Sequence, residues 1–196
     1  MEEIKVKELM VPLSGYATVS QDATLAEAVE PLQHAQKEFD QTRDRHRAIL
    51  ISDENNKIVG KLSQLDVIRS LEPKYLKFDN RKELSRFGLT KDYMDTILKE
   101  HNLWAESLDS ICEKAAKIVV KTIMYTPTEG EYVSENATLE EAIHQLVMGR
   151  HQSLLVTCGK DIVGILRLTD VFREIASRIS ACPPLRRIVL RFKTYS

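Results

Sequence analysis

The sequence has only three cysteines, no hydrophobic run of membrane-spanning length and almost no net charge. Cys112, Cys158 and Cys182 are odd in number and far apart, and they lack CxxC spacing or a neighbouring histidine cluster. They read as free thiols of a reducing compartment rather than a disulfide framework or a metal site. No apolar run approaches the ~18 residues a membrane helix needs. The start, Met1-Glu2-Glu3-Ile4-Lys5, has neither the basic lead nor the apolar core of a secretory signal. A soluble, cytoplasmic protein is expected, with no membrane partner. Twenty-eight basic residues against 29 acidic ones give a net charge of −1, so no global field draws in nucleic acid or an anionic surface. Any anion site must be local.

Catalytic signatures are also missing. No GxSxG, HExxH, P-loop or paired-carboxylate arrangement occurs. His144 and His151 stand seven apart without an acidic or cysteine partner at ligand spacing, so they read as surface or packed histidines. No enzyme and no metal site are expected. Met10, Met124 and Met148 read as core gap-fillers. The clusters around Asp40–Arg45 and Arg186–Lys193 read as solvated faces.

What the chain does contain is one unit written twice. Ile58-Val59-Gly60-Lys61-Leu62-Ser63-Gln64-Leu65-Asp66-Val67-Ile68-Arg69-Ser70-Leu71 returns as Ile162-Val163-Gly164-Ile165-Leu166-Arg167-Leu168-Thr169-Asp170-Val171-Phe172-Arg173-Glu174-Ile175, with seven of 14 residues identical. Random composition would give about one. Val6-Lys7-Glu8-Leu9-Met10 is echoed by Val120-Lys121-Thr122-Ile123-Met124, and the stretch from Val19 to Val29 by that from Val133 to Ile143, both at an offset of 114. The offset falls to 105 between Arg45-His46 and Arg150-His151, so the first copy carries nine extra residues in the polar run around Gln36 to Arg43.

Local signals agree within each copy. Ser20 or Asp22, and Ser134 or Asn136, stand where N-caps belong. Each pair precedes a helical apolar stripe of Leu25, Ala28, Val29 and Leu32, or of Leu139, Ala142, Ile143 and Leu146. Short apolar strands follow, then polar turns suited to hairpins, second strands through Gly60 and Gly164, and second helices. The inner faces of those helices are expected to be Leu65, Ile68 and Leu71, and Val171, Phe172 and Ile175. Each copy is thus a β-α-β-β-α unit of an α/β (α+β) fold. Such a unit is marginal alone, and two are expected to pack about a pseudo-twofold. Domain 1 spans 4–72 and domain 2 spans 118–178. The uncovered stretch 73–117 reads as a helical hairpin, and 179–196 as a basic tail.

The repeated pattern resembles two cystathionine β-synthase-type (CBS) domains in tandem. The resemblance rests on lead segments ending in Met10 and Met124, and on the spaced residues Gly60, Ser63 and Asp66, then Gly164, Arg167 and Asp170. It implies binding rather than chemistry: a regulatory module that holds AMP, ADP, ATP or S-adenosylmethionine in two clefts and signals to a regulated protein as a homodimer. By that resemblance Asp66 and Asp170 would accept from ribose hydroxyls and Ser63 would donate to a phosphate. The stretches around Ala48, Ile49 and Leu50, and around Ser153, Leu154 and Leu155, would border the adenine.

Each assignment has a plainer counterpart in the residues themselves. Asp66 and Asp170 also suit the first turn of a helix, where a carboxylate is favoured by the dipole. Arg45-His46 and Arg150-His151 could meet phosphates or could be solvated residues at the start of a strand. Arg167 stands where the family pattern has serine or threonine, and Leu50 and Leu155 where it often has proline. A guanidinium at that position either grips a phosphate in bidentate fashion or fills the cleft. Unequal clefts are therefore expected. The alternative reading is a ligand-free interaction module of the same fold. Nucleic-acid binding through the basic tail is the weakest reading.

Overall fold

The structure, a computed structural model, describes residues 3–37, 48–78 and 90–181. Arg45, His46, Cys182 and the basic run from Arg186 lie outside the described residues. The chain is mixed α+β and divides into two compact units. A central unit comprises Ala17–Thr126, and a terminal unit joins Met1–Tyr16 to Pro127–Ser196.

In the central unit, strand β2 (Thr18–Ser20) leads into helix α2 (Leu25–Lys37), which returns to β3 (Ala48–Ser52), parallel to β2. A turn at Asp53–Lys57 reverses the chain into β4 (Ile58–Ser63), antiparallel to β3, and helix α3 (Gln64–Ser70) follows directly. Asp53 builds that turn by accepting from the Asn55 and Lys57 amides, while Asn56 takes a left-handed φ of 59°. The terminal unit repeats the order: β5 (Tyr132–Ser134), α6 (Leu139–Gly149), β6 (Ser153–Cys158), β7 (Asp161–Arg167) and α7 (Leu168–Ala181). The sheet orders are β2-β3-β4 and β1-β7-β6-β5, where β1 is Val11–Pro12. Both hairpins shift register at equivalent points, Ile51/Ser52 and Val156/Thr157. This is the β-α-β-β-α unit the repeats predict.

The described parts of the 73–117 stretch include the helices expected of it, with a 3₁₀ segment at Pro73–Phe78, helix α4 (Lys91–Glu100) and helix α5 (Leu108–Ala115). Ser107 caps α5 by accepting from the Ser110 amide. Ala115 then reaches the core of the central unit, beside Leu25, Ala28, Leu32, Ile49, Ile51, Leu62 and Val120.

The lead segments are exchanged between repeats. Helix α1 (Val6–Leu9) precedes the first copy, yet Val6 is fully buried with Val133, Leu139, Leu154 and Leu166 of the second. Its backbone is held there by Val6 and Lys7 amides donating to Ala137 and Glu135 carbonyls. Val120, ahead of the second copy, is buried in the core of the central unit, with its amide donating to Ala23. Full burial of each valine contributes on the order of 1.5–3 kcal/mol. The two shared glycines follow from this exchange. A Cβ on Gly60 would lie 2.8 Å from Met124 Sδ, and one on Gly164 would lie 2.6 Å from the Val11 carbonyl oxygen.

The structure corrects three expectations. The N-caps of α2 and α6 are Thr24 and Thr138, each in a reciprocal box with the glutamate three residues on, Glu27 and Glu141. Ser20 and Ser134 instead form small turns by accepting from Asp22 and Asn136 amides. The inner face of α3 is Val67 and Leu71, while Leu65 and Ile68 are exposed; on α7, Val171 and Ile175 face inward and Phe172 is exposed. Both helices begin without a loop, so the preceding strand fixes their rotation, and a 100° step per residue turns those side chains outward. Met148 is also exposed, because Leu139, Ala142 and Leu146 already fill the inner stripe of α6.

Candidate ligand-binding site

Ser63 ends β4 and caps α3. Its hydroxyl donates to Asp66 Oδ2 at 2.5 Å and accepts from the Asp66 amide at 3.3 Å, while its own amide donates to the same Oδ2 at 2.8 Å. This reciprocal arrangement satisfies backbone donors at the helix start and fixes the carboxylate. Both side chains are only partly buried. Asp66 Oδ1 takes no hydrogen bond among the described residues, so it keeps acceptor capacity beside a hydroxyl that can rotate to a new partner. Ala48 lies directly across the β3–β4 ladder from Ser63 and is partly exposed.

The equivalent position in the terminal unit is built differently. Arg167 ends β7 and is only 6% exposed; Asp170, in the first turn of α7, is 7% exposed. The guanidinium grips the carboxylate in bidentate fashion, Nε donating to Oδ2 at 2.5 Å and Nη2 to Oδ1 at 2.6 Å. Arg173, one turn along α7, donates to Oδ1 at 3.3 Å. Both oxygens of Asp170 are thus engaged by cations, whereas Asp66 is held only by serine. The bidentate geometry and the added Arg173 donor supply attraction against the cost of burying both charges. Ser153 faces Arg167 across the β6–β7 ladder, as Ala48 faces Ser63.

Leu50 and Leu155 alternate away from the core residues beside them, Ile49, Ile51, Leu154 and Val156, yet are themselves 0% and 3% exposed. Their side chains have almost no free surface, so of the six residues expected to border a base only Ala48 and Ser153 are partly exposed. Arg150 is exposed and ends α6 in the left-handed region at φ 53°. His151 Nδ1 lies 4.0 Å from Oε2 of the buried Glu131, which also accepts from the Thr128 amide.

Three neighbours are not evident in the sequence alone. Tyr16 senses both Arg167 and Asp170. Its phenol is pushed up to about 12, mainly by burial, with Arg167 opposing the shift and Asp170 adding to it. Arg173 recurs at the spacing of Arg69, and that repeat is the one signal that could have found it. Lys61, opposite Leu50 in the ladder, places its ammonium 5.0 Å over the Tyr125 ring. Among the described residues no cluster of three or more histidine, cysteine or carboxylate side chains could hold a metal ion. Also among them, no helix is long and apolar enough to cross a membrane.

The family model described as "CBS domain" matches residues 6–73 and 120–177. No curated protein matches the chain. Among solved structures it is similar to a CBS domain-containing protein of unknown function from Kribbella flavida, with 20% identity, 89% of this chain and 99% of that one covered, and a TM-score of 0.56. It is also similar to CBSX2 in complex with AMP, with 18% identity, coverage of 89% and 98%, and a TM-score of 0.55. A third is the CBS domain of a bacterial CNNM/CorC family Mg²⁺ transporter in complex with ATP, with 16% identity, coverage of 88% and 87%, and a TM-score of 0.51. At these identities the likeness concerns the fold.

Proposed function

Because the chain belongs to the CBS domain family, we propose that it is a regulatory module that binds an adenosine-containing nucleotide through Ser63 and Asp66 and signals its occupancy to a partner protein. The observation that carries this reading is the half-used carboxylate of Asp66. Its Oδ1 can accept from a ribose hydroxyl while the Ser63 hydroxyl turns from Oδ2 to a phosphate oxygen. Ala48, partly exposed across the ladder, is the nearest strand position for a flat base. The similar structures solved with AMP and with ATP support the ligand class. S-adenosylmethionine offers the same ribose and base and belongs to that class. The role is binding, with no catalytic step, and the acting species is a homodimer in the cytoplasm.

Thermal denaturation with AMP, ADP, ATP and S-adenosylmethionine tests the reading. A ligand that binds only the folded state raises the melting temperature increasingly as its concentration exceeds Kd. At least one of the four should do so, and Asp66→Ala should abolish the rise. No rise with any of them at millimolar concentration would leave the ligand-free interaction module as the function. That second reading draws on Arg167, whose ion pair with Asp170 fills the equivalent position in the terminal unit.

A further inference from the structure

The 73–117 stretch has no counterpart in the second copy, and its described residues belong to the central unit. Glu72, buried at the end of the first repeat, accepts from the Lys74 amide at one oxygen and the Trp104 amide at the other. These amides, that of Trp104 first, hold its carboxyl below the usual carboxylate range. Trp104, at a left-handed φ of 59°, also donates its indole N–H to the Tyr75 hydroxyl at 2.9 Å and meets that ring edge-on. Lys74 Nζ reaches the Asn102 carbonyl at 2.8 Å.

Beside this anchoring lies an open cleft of about 400 Å³ within the central unit. The size falls in the ordinary range for small-molecule sites, on the order of 300–1,000 Å³. Its floor is apolar, made by Leu71, Ile111 and Ile118, and its rim carries Lys74, Lys114 and Glu106. Lys114 already holds a carboxylate, that of Glu106, with Nζ 2.6 Å from Oε1. The Asn102 bond uses one of the three protons on Lys74 Nζ, which leaves donors for an incoming carboxylate. Glu72 is committed to backbone amides and stays with the scaffold.

We infer that this cleft binds a zwitterionic amino acid with a large apolar side chain. A carboxylate seated on Lys74 and Lys114 displaces Glu106 from its partner, and the ligand's own ammonium then restores a counter-charge to Glu106. The side chain covers the apolar floor. A simple carboxylate would leave Glu106 with the Ser110 hydroxyl but without its cation, and a simple amine would leave the lysines unserved. The site shares no residue with Ser63 or Asp66 and does not depend on the nucleotide reading.

Titration calorimetry of the full chain with L-leucine and L-phenylalanine tests the inference, with the fluorescence of Trp104, the single tryptophan, as a second readout. At least one of the two should bind at one site per chain and shift the emission. Lys114→Ala, at an exposed position, should weaken binding at least fivefold without altering the melting temperature of the unliganded chain. Leucinamide and 4-methylpentanoate, each lacking one charge, should bind at least tenfold more weakly than leucine. Asp66→Ala should leave amino-acid binding unchanged, so the two sites fail independently. No saturable binding of either amino acid, equal binding of 4-methylpentanoate, or binding indifferent to Lys114→Ala would each overturn the inference.

Discussion

Ser63–Asp66 and Arg167–Asp170 stand at the same step of the same repeat, at the end of the hairpin's second strand and in the first turn of the following helix. In the central unit the aspartate is held by a hydroxyl and an amide, is partly exposed, and retains an unused oxygen. In the terminal unit two guanidinium groups engage both oxygens, and the pair is more than nine-tenths buried. One difference of residue type, serine against arginine, turns an adaptable hydrogen-bonding corner into a closed ion pair. The duplicated frame can therefore keep its architecture while its two halves diverge in chemistry. Arginine is suited to this closure because its planar fork matches a carboxylate at two points.

The largest difference between the halves should appear in stability. Asp170→Ala leaves Arg167 buried without its main counter-charge, which costs about 3–5 kcal/mol. Asp66→Ala removes only a capping partner, worth about 1 kcal/mol. Urea denaturation of both variants measures the contrast, and equal losses would remove it.

Ligand affinity should rank the two aspartates in the opposite order. Asp66→Ala should weaken nucleotide binding by about 1.5–3 kcal/mol, the range for a hydrogen bond to a charged group. Asp170→Glu, which keeps the charge beside Arg167, should leave affinity within about twofold, well under the 1.4 kcal/mol of a tenfold change. Calorimetric titration of the two variants reads this directly.

The paired glycines offer a smaller contrast. Alanine at 164 meets the Val11 carbonyl, a backbone atom that cannot swing aside, whereas alanine at 60 first meets the flexible end of Met124. Overpacking costs typically about 1–3 kcal/mol, so Gly164→Ala should lie toward the upper end and Gly60→Ala toward the lower. Thermal melts of the two variants would show it.

The smallest effect concerns Tyr16 and has no counterpart in the central unit's site. Its folded phenol ionises near 12 against an ordinary 10.0, so the unfolded chain loses this proton first. The contribution is intact below pH 10.0 and is lost as pH rises toward 12. Tyr16→Phe should flatten the decline in unfolding free energy over that window, because the variant has no phenol to ionise. Urea denaturation of both chains at several pH values across the window reads the difference.

Much of this architecture is legible from the repeat alone, because apolar spacing and turn residues act over a few positions. The strands, the hairpins and the helices of the 73–117 stretch are of that kind. Exchange of the lead segments is not local: nothing in Val6-Lys7-Glu8-Leu9-Met10 states which copy will bury Val6. Leu65, Ile68 and Phe172 mislead for a related reason, since the preceding strand sets the rotation of a helix that starts without a loop. At the candidate site, the spacing Gly60-Ser63-Asp66 and the substitution of Arg167 can be seen in the letters. The second cation, Arg173, and the phenol of Tyr16 needed the fold to bring them together.

The central claim is that one half binds and the other is closed by its own arginine. Calorimetric titration of the unmodified chain with the nucleotide that most raises the melting temperature tests it most directly. One site per chain, lost in Asp66→Ala, is the expected result. Two equivalent sites per chain, or one site lost in Arg167→Met and kept in Asp66→Ala, would contradict it.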